Sequence, residues 1–556
     1  AALMTLMNKE RVSARHIPRS LSLLACGLLI CCCALTAAGQ GTFNVRDYGA
    51  TGKKGDDARP AIQKAIDECA AAGGGTVYLP PGEYISGQLF LRSHVRFYVE
   101  AGATIFVSTD PAAFSKSHFA ALLSGVDLEN ISIEGRGVID GQSSYEWRLS
   151  DLEDDYIRSN QVLMQSLGKP LLRPFPAGFP KETIYPRMVQ LIRCRDVRIT
   201  GLSFIRSRSW NIHPVYCERV VIDGIYIYSN LKEAVWADGI DPEGCSDLRL
   251  SNSTIETGDD AVVFYSTNIF GPALPCENIT ITNCRLSSAS SALKFCDGNR
   301  NSIRKVTVDN CVITASNRGI AFMVFDGGYV SDVVLSNLVI ETTLHDWFWW
   351  GEGDPIHFNI KRRKEISPSL PTEEDRPAGA IRNVIIRNVI ARGQGTSLLN
   401  GHPESWLENI SLENVKLFLT AAPQSPMQKA DHAISVHRAR NLKLKEVQVT
   451  WDQPASAKWQ SALFAEDVRG LELDGFSGQA ARAELPAIAL SQAEDVMIRN
   501  STAREGTRVF LQVAGDKSRD IVLSGNDLRR AALPFRADGS VPSGAVRLVN
   551  NLTSIR

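Results

Sequence analysis

The hydrophobic pattern of this chain has a period of two. Short units alternate apolar with mostly polar residues and close on Asn or Gly: Val197-Arg-Ile-Thr-Gly201, Leu248-Arg-Leu-Ser-Asn252, Ile279-Thr-Ile-Thr-Asn283, Val306-Thr-Val-Asp-Asn310 and Val333-Val-Leu-Ser-Asn337. The same unit returns at Val384, Ile410, Val496 and Ile521. Such alternation predicts half-buried strands, with every second side chain turned toward a core. The units recur at intervals of roughly 25–30 residues, too short for a propeller blade and without the paired amphipathic helices of a helical solenoid. A unit of this size cannot close a core alone, so successive units must stack on one continuous column of Val, Ile and Leu. The pattern therefore predicts an all-β parallel β-helix. Asn252, Asn283, Asn310, Asn337, Asn388, Asn414 and Asn500 hold the same place after their strands. Stacked coils would align these amides in a hydrogen-bonded ladder at one turn.

Departures from the pattern divide the chain further. Asp57 precedes a helical stretch with Ile62, Ala65, Ile66 and Cys69 on one face, ended by Gly73-Gly74-Gly75, which predicts a helix capping the open end of the solenoid. An N-terminal cap is expected over about 43–90, the central coils over about 190–340 and further coils over about 430–556. Two intervals break the repeat, about 142–190 and about 340–380, and long loops on a rigid scaffold commonly build its binding face. The second loop carries Trp347, Trp349 and Trp350 beside Gly351. Of these, Trp350 is the candidate platform for a sugar face, against the alternative that the loop simply packs on the solenoid.

Residues 1–39 have the form of a signal peptide: Lys9, Arg11, Arg15 and Arg19, an apolar run over 21–35, then Thr36-Ala37-Ala38-Gly39. Export to the periplasm or the extracellular space is expected, leaving residues 40–556 as a single solenoid with no membrane span in the mature chain. Lys+Arg number 60 and Asp+Glu 61, a net charge of −1, with no basic arm, so nucleic acid is not an expected partner. Eight cysteines, Cys69, Cys194, Cys217, Cys245, Cys276, Cys284, Cys296 and Cys311, lie outside that segment, and none forms a C-x-x-C pair. They read as buried thiols ahead of disulfides, and neither a zinc site nor another cofactor is expected.

Acidic residues gather in two consecutive coils, Asp238-Gly-Ile-Asp241 and Gly258-Asp-Asp260. A little less than one coil apart, Asp238, Asp259 and Asp260 would converge on neighbouring rungs about 4.8 Å apart. No basic residue lies near them in sequence. Crowding raises the pKa of one carboxyl group while others stay ionised, which supplies the acid and base of glycosidic cleavage. The competing account is two Asp-Gly turns.

These residues carry a resemblance. Phe43-Asn-Val-Arg-Asp-Tyr-Gly-Ala-Thr-Gly52, the helix from Asp57, Val77-Tyr-Leu-Pro-Pro-Gly-Glu-Tyr84, Trp210-Asn-Ile-His-Pro-Val-Tyr-Cys217, Ala237-Asp-Gly-Ile-Asp-Pro242 and Thr257-Gly-Asp-Asp260 resemble glycoside hydrolase family 28, the polygalacturonases, over about residues 43–340. The resemblance implies a right-handed, single-stranded, pectin-lyase-like β-helix that hydrolyses pectin-type polysaccharide or oligosaccharide with inversion. Asp259 would be the general acid, while Asp238 and Asp260 would activate water. Two motifs depart from the family. Its Gly-His-Gly is replaced by Ser290-Ser-Ala-Leu-Lys294, and its Arg-Ile-Lys by Ala321-Phe322-Met323, which puts uronate recognition in doubt. Lys294 and Arg318 are candidate substitutes for the missing charge, and His213 for a sugar contact, each against a purely structural role. The other readings are a lyase or epimerase on the same fold, with Lys294 as base, or a non-catalytic carbohydrate-binding solenoid.

Overall fold

The computed structural model describes residues 41–115, 120–143, 186–232, 234, 236–345, 351–366, 376–422 and 430–554. The chain winds into a right-handed parallel β-helix with three strand-bearing faces; in the later coils the first two faces are spanned by one continuous strand, as in Ser302–Ser316 and Tyr329–Thr342. One complete coil consists of Ser246–Ser251, Thr254–Thr257 and Val262–Phe264, and the next of Cys276–Thr282, Arg285–Ser288 and Ser291–Phe295. All pairings between them are parallel.

The repeated units form the first face. Leu248 pairs with Ile279, Ile279 with Val306, Val306 with Val333, Val333 with Val384 and Val384 with Ile410, each buried in the common core. Alternation places Leu250, Ile281, Val308 and Leu335 inward as well, so a one-residue slip would turn the whole set to solvent. Behind the third face runs a stack of rings, Phe264, Phe295, Phe322 and Phe358, with successive centroids 5.1, 4.2 and 4.3 Å apart. This stack is the rigid backing of the strands described below.

The asparagine ladder is present. Asn283 donates to Asn252, Asn310 to Asn283, Asn388 to Asn337 and Asn414 to Asn388, at 2.7–3.3 Å. Asp223, Asp309 and Asp474 take the acceptor position for Asn252, Asn337 and Asn500. All seven asparagines have φ between 50° and 57°, the left-handed region that Asn tolerates better than most residues. Asn383, Asn409 and Asn441 form a second ladder, also at positive φ.

The expected helix spans Arg59–Ala71 and buries Ala61, Ile62, Ala65, Ile66 and Cys69. It packs on the strands Gly41–Asn44 and Gly75–Leu79, covering the end of the core. Ala58, not Asp57, is the residue at its N-cap; Asp57 Oδ1 accepts from Arg59 N at 3.0 Å. At its far end a Cβ on Gly74 would lie 2.5 Å from the His94 carbonyl oxygen, so the close approach of the next coil demands glycine. The eight cysteines outside residues 1–40 are buried and free. No helix among the described residues is long and apolar enough to cross a membrane.

Candidate active site

The acidic motifs occupy the corner where the second strand of a coil turns into the third. Here backbones of adjacent coils approach closely, which explains the glycines. A Cβ on Gly239 would lie 2.3 Å from the Ala261 carbonyl oxygen, and one on Gly258 2.4 Å from that of Ala234. Gly239 N donates to Asp260 O at 2.9 Å, Ala261 N to Ser291 O at 3.0 Å and Asn211 N to Asp238 O at 2.9 Å. This ladder sets Asp238 and Asp260 in register on neighbouring coils, with Ser291 on the next. Ser288 Oγ and Thr257 Oγ1 donate to the Asp259 carbonyl at 2.6 and 2.8 Å and pin the turn. Asp259 Oδ1 accepts from Asp260 N at 3.0 Å.

The structure thus brings Asp238, Asp259 and Asp260 together, and Asp241 joins them. Asp238 is 2% and Asp259 5% exposed, and Asp241 is fully buried. Burial, followed by the neighbouring carboxylates, raises the pKa of Asp238 and Asp259 well above the ordinary value. Burial raises Asp241 too, and Asp238 and Asp241 are close enough to share a proton. Apart from that shared proton, neither Asp241 oxygen nor Asp238 Oδ1 has a hydrogen-bond partner among the described residues.

The expectation that nothing basic lies near the acids is corrected by the fold. Lys294 Nζ donates to Asp260 Oδ2 at 2.8 Å, while Ser291 N donates to Oδ1 at 3.0 Å. One coil step makes neighbours of residues 34 apart in sequence. Lys294 also lies 3.7 Å from Asp297, which receives Arg363 Nη1 at 3.1 Å; Arg363 in turn makes two 3.0 Å bonds to Asp326. Burial works against the charge on Lys294, but Asp260 and Asp297 more than offset it and hold the ammonium above its usual range. Burial likewise opposes ionisation of Asp297, yet Lys294 and Arg363 hold its carboxyl well below the usual range.

His213 lies one coil before Asp241, but its ring is already engaged. Nε2 is 3.1 Å from Glu243 Oε2 and Nδ1 is 3.3 Å from Gln190 Nε2. Burial, against the pull of Glu243, lowers its pKa to about 4, so the ring is neutral at ordinary pH. Trp210 packs edge-on to it at 4.8 Å, stacks on Tyr265 at 5.3 Å and carries the Arg187 guanidinium 4.6 Å from its centroid. Arg318 sits two coils beyond Asp260, with Nε 3.5 Å from Asp354 Oδ2. Trp350, like Trp347 and Trp349, lies outside the described residues, as does most of the first insertion.

Asp241, Glu243, Arg187, Asp297 and Arg363 were not among the candidates. Asp241 and Asp297 stand three residues after Asp238 and Lys294, a spacing that could have flagged them. Arg363 reaches Asp297 from 66 residues away and left no local signal. No group of three His, Cys, Asp or Glu among the described residues is arranged to hold a metal ion. The geometry offers crowded carboxyl groups that retain protons beside a carboxylate anchored by lysine, a combination suited to acid–base chemistry.

Comparison with known proteins relates this site to a family. Residues 179–344 match the Glycosyl hydrolases family 28, and residues 42–116 match the family described as Rhamnogalacturonase A/epimerase, pectate lyase-like. A probable polygalacturonase of Vitis vinifera is 24% identical over 401 residues, covering 67% of this chain and 74% of its own. Among solved structures, the exopolygalacturonase of Thermotoga maritima superposes with a TM-score of 0.57 at 23% identity, over 74% of this chain and 92% of its own. The family 28 exopolygalacturonase of Yersinia enterocolitica gives 0.59 at 18% identity, over 79% of each chain. The central coils of this β-helix therefore match the model of glycoside hydrolase family 28, and the protein is a polygalacturonase-like glycoside hydrolase.

Proposed function

We propose that the protein hydrolyses glycosidic bonds in pectin-type polysaccharides or their oligosaccharides by inverting acid–base catalysis. The observation that carries this reading is the burial of Asp259 between Asp238 and Asp260 on adjoining coils, with Asp260 tied to Lys294. Asp259, its proton retained by burial and by two neighbouring acids, donates to the glycosidic oxygen as the bond to the anomeric carbon breaks. A water between Asp238 and Asp260 attacks that carbon from the opposite face and passes its proton to their carboxylates. The lysine bond fixes Asp260 as an acceptor, and Asp241 shares the proton of Asp238 so that the pair carries one charge less than two.

The engagement of Lys294 by two carboxylates speaks against its use as a lyase base. Crowded buried acids are costly and serve no need of a merely adhesive surface. Substrate contacts from His213, Lys294, Arg318 and Trp350 belong to this proposal, as does export directed by residues 1–39.

The test follows reducing ends and ultraviolet absorbance together on a panel of pectic and neutral polysaccharides and oligosaccharides. New reducing ends without unsaturated product are expected, and Asp259→Asn is expected to lose about 10²–10⁴-fold in rate. The activity should reside in the periplasmic or extracellular fraction. Unsaturated products would mark a lyase, and binding without turnover in both proteins would mark an adhesive solenoid.

A further inference from the structure

The turn that follows the third face carries charge in three consecutive coils. Asp297 stands two residues after the strand Ser291–Phe295, Asp326 two residues after Arg318–Val324, and Arg363 three residues after Asp354–Ile360, where it opens the short helix Arg363–Ile366. Register sets Phe295 beside Phe322 and Phe322 beside Phe358, so the three turns stack. Arg363 N donates to Phe325 O at 2.8 Å, which fixes where its side chain begins. From there the guanidinium spans two turns. Nε and Nη2 bond the two oxygens of Asp326, each at 3.0 Å, and Nη1 reaches Asp297 Oδ2 at 3.1 Å.

Asp297 lies between this guanidinium and the acidic corner. Its Oδ1 accepts from the Cys296 thiol at 3.1 Å and lies 3.7 Å from Lys294 Nζ, which donates to Asp260 Oδ2 at 2.8 Å. Charge therefore alternates along an unbroken chain: Asp260, Lys294, Asp297, Arg363, Asp326. Burial opposes the charge on Arg363, but Asp297 and Asp326 more than offset it. The groups facing Asp260 are Asp238 and Asp241 from the preceding coil, Asp259 and Tyr265 from its own and Lys294 from the next. Among the described residues Lys294 is the one cation in an ion pair with it. A lysine ammonium is a point charge on a flexible stem, and here two carboxylates compete for it. The planar fork of Arg363, held by both oxygens of Asp326, offsets the charge of Asp297 and fixes the direction of its carboxylate.

We propose that Asp297 and Arg363 are positioning residues for the acid–base reaction: they hold the Lys294 ammonium against Asp260, so that the turn after the strand Asp354–Ile360 sets the charge at the acidic corner. The inference rests on the hydrolase reading above and adds two residues that act through Lys294. Because they carry opposite charge, their removal has opposite signs. Without the Arg363 cation, Asp297 draws Lys294 toward itself and the corner becomes more negative, so its ionised form is reached only at higher pH. Without the Asp297 anion, both cations remain and Lys294 turns wholly to Asp260, so the ionised form is reached at lower pH. Side chains that only support the fold have no reason to shift the profile in opposite directions.

The test measures kcat and KM across pH for the full-length protein, Arg363→Met, Arg363→Lys and Asp297→Asn, on the oligosaccharide of the panel above that the wild type cleaves fastest. In Arg363→Met the acid limb of kcat is expected to lie about half a pH unit or more above that of the wild type. Its kcat at the optimum is expected to fall about tenfold, with KM little changed. Asp297→Asn should move the limb by a similar amount to lower pH. Arg363→Lys keeps the cation and should restore most of the wild-type profile. Asp297→Asn preserves the shape of the side chain, so the sign of its shift remains a test if Arg363→Met does not fold. Limbs that coincide with the wild type, or that move the same way in Arg363→Met and Asp297→Asn, overturn the positioning role. A rise in KM with kcat unchanged would make Arg363 a substrate contact and overturn it as well. In each of those cases the hydrolase reading stands; a wild type that releases no reducing ends from any member of the panel ends that reading, and this inference with it.

Discussion

Asp259 and Asp238 are buried acids, and their own burial is the first cause of their raised pKa. A group whose pKa is higher folded than unfolded contributes its full stability below the ordinary carboxylate range and loses it as pH rises through the elevated value. The protein should therefore melt at lower temperature as pH rises from mildly acidic to alkaline. On the proposed mechanism the alkaline limb of the rate profile has the same sign, since activity is expected to fall as Asp259 ionises. Asp238→Asn removes one of the crowded charges. It is expected to lower the rate by about 10²-fold or more and to raise the Tm at pH 8 by more than at pH 5. Calorimetry of both proteins at the two pH values checks this, and an equal shift at both would show that charge crowding is not the cause. Asp241 and Asp260 show how far identity falls short of environment: both are Asp, but one is buried against a second carboxyl group, Asp238, and the other is held by Lys294 and Ser291.

At the scale of the element, the turn after each first-face strand joins a local conformational demand to a long-range bond. Asn283 has φ of 54°, donates to Asn252 and accepts from Asn310. Asn283→Ala loses both bonds and adopts a conformation costly for a residue with a Cβ, for an expected loss of about 1–2 kcal/mol. Asn283→Gly loses the bonds but not the conformation, and should recover part of that loss. Urea unfolding of the pair separates the contributions; equal midpoints would mean that backbone conformation has no share. The corner glycines have a different reason. Gly239 and Gly258 are needed because the next backbone stands where a Cβ would project.

For the whole molecule, stacking turns sequence repetition into continuous columns. Cys194, Cys217 and Cys245 precede consecutive first-face strands and Cys276 begins the next, where register brings it beside Ile303. Their thiols point at backbone carbonyls and are buried. Burial raises Cys217 well above its usual value and pushes Cys276 up to about 12, so neither ionises readily to attack a reagent. An aromatic disulfide reagent should leave the eight thiols of residues 40–556 untouched in the folded protein and titrate all eight in denaturant. Reductant should leave the Tm unchanged; a fall in Tm on reduction would reveal a disulfide.

The fold and the corner where the acids gather were legible because they depend on patterns local to each coil. Alternation at Val306 and Val333, the repeated Asn and the Gly-flanked acids each need only a few neighbouring residues to be recognised. Strands of the third face were harder to see, because Arg318–Val324 and Asp354–Ile360 are buried along their whole length and lack alternation. What surrounds each acid was not legible at all. Lys294 reaches Asp260, Arg363 reaches Asp297, and His357 shares Asp354 with Arg318 only because coils stack at a fixed register. The sequence by itself determined a coiled solenoid with acids at one corner, since period and turn chemistry act over a single coil. Tertiary structure alone decided which carboxyl groups keep their protons and which cations are already matched, since charge interactions depend on distance and burial, and both are set by stacking.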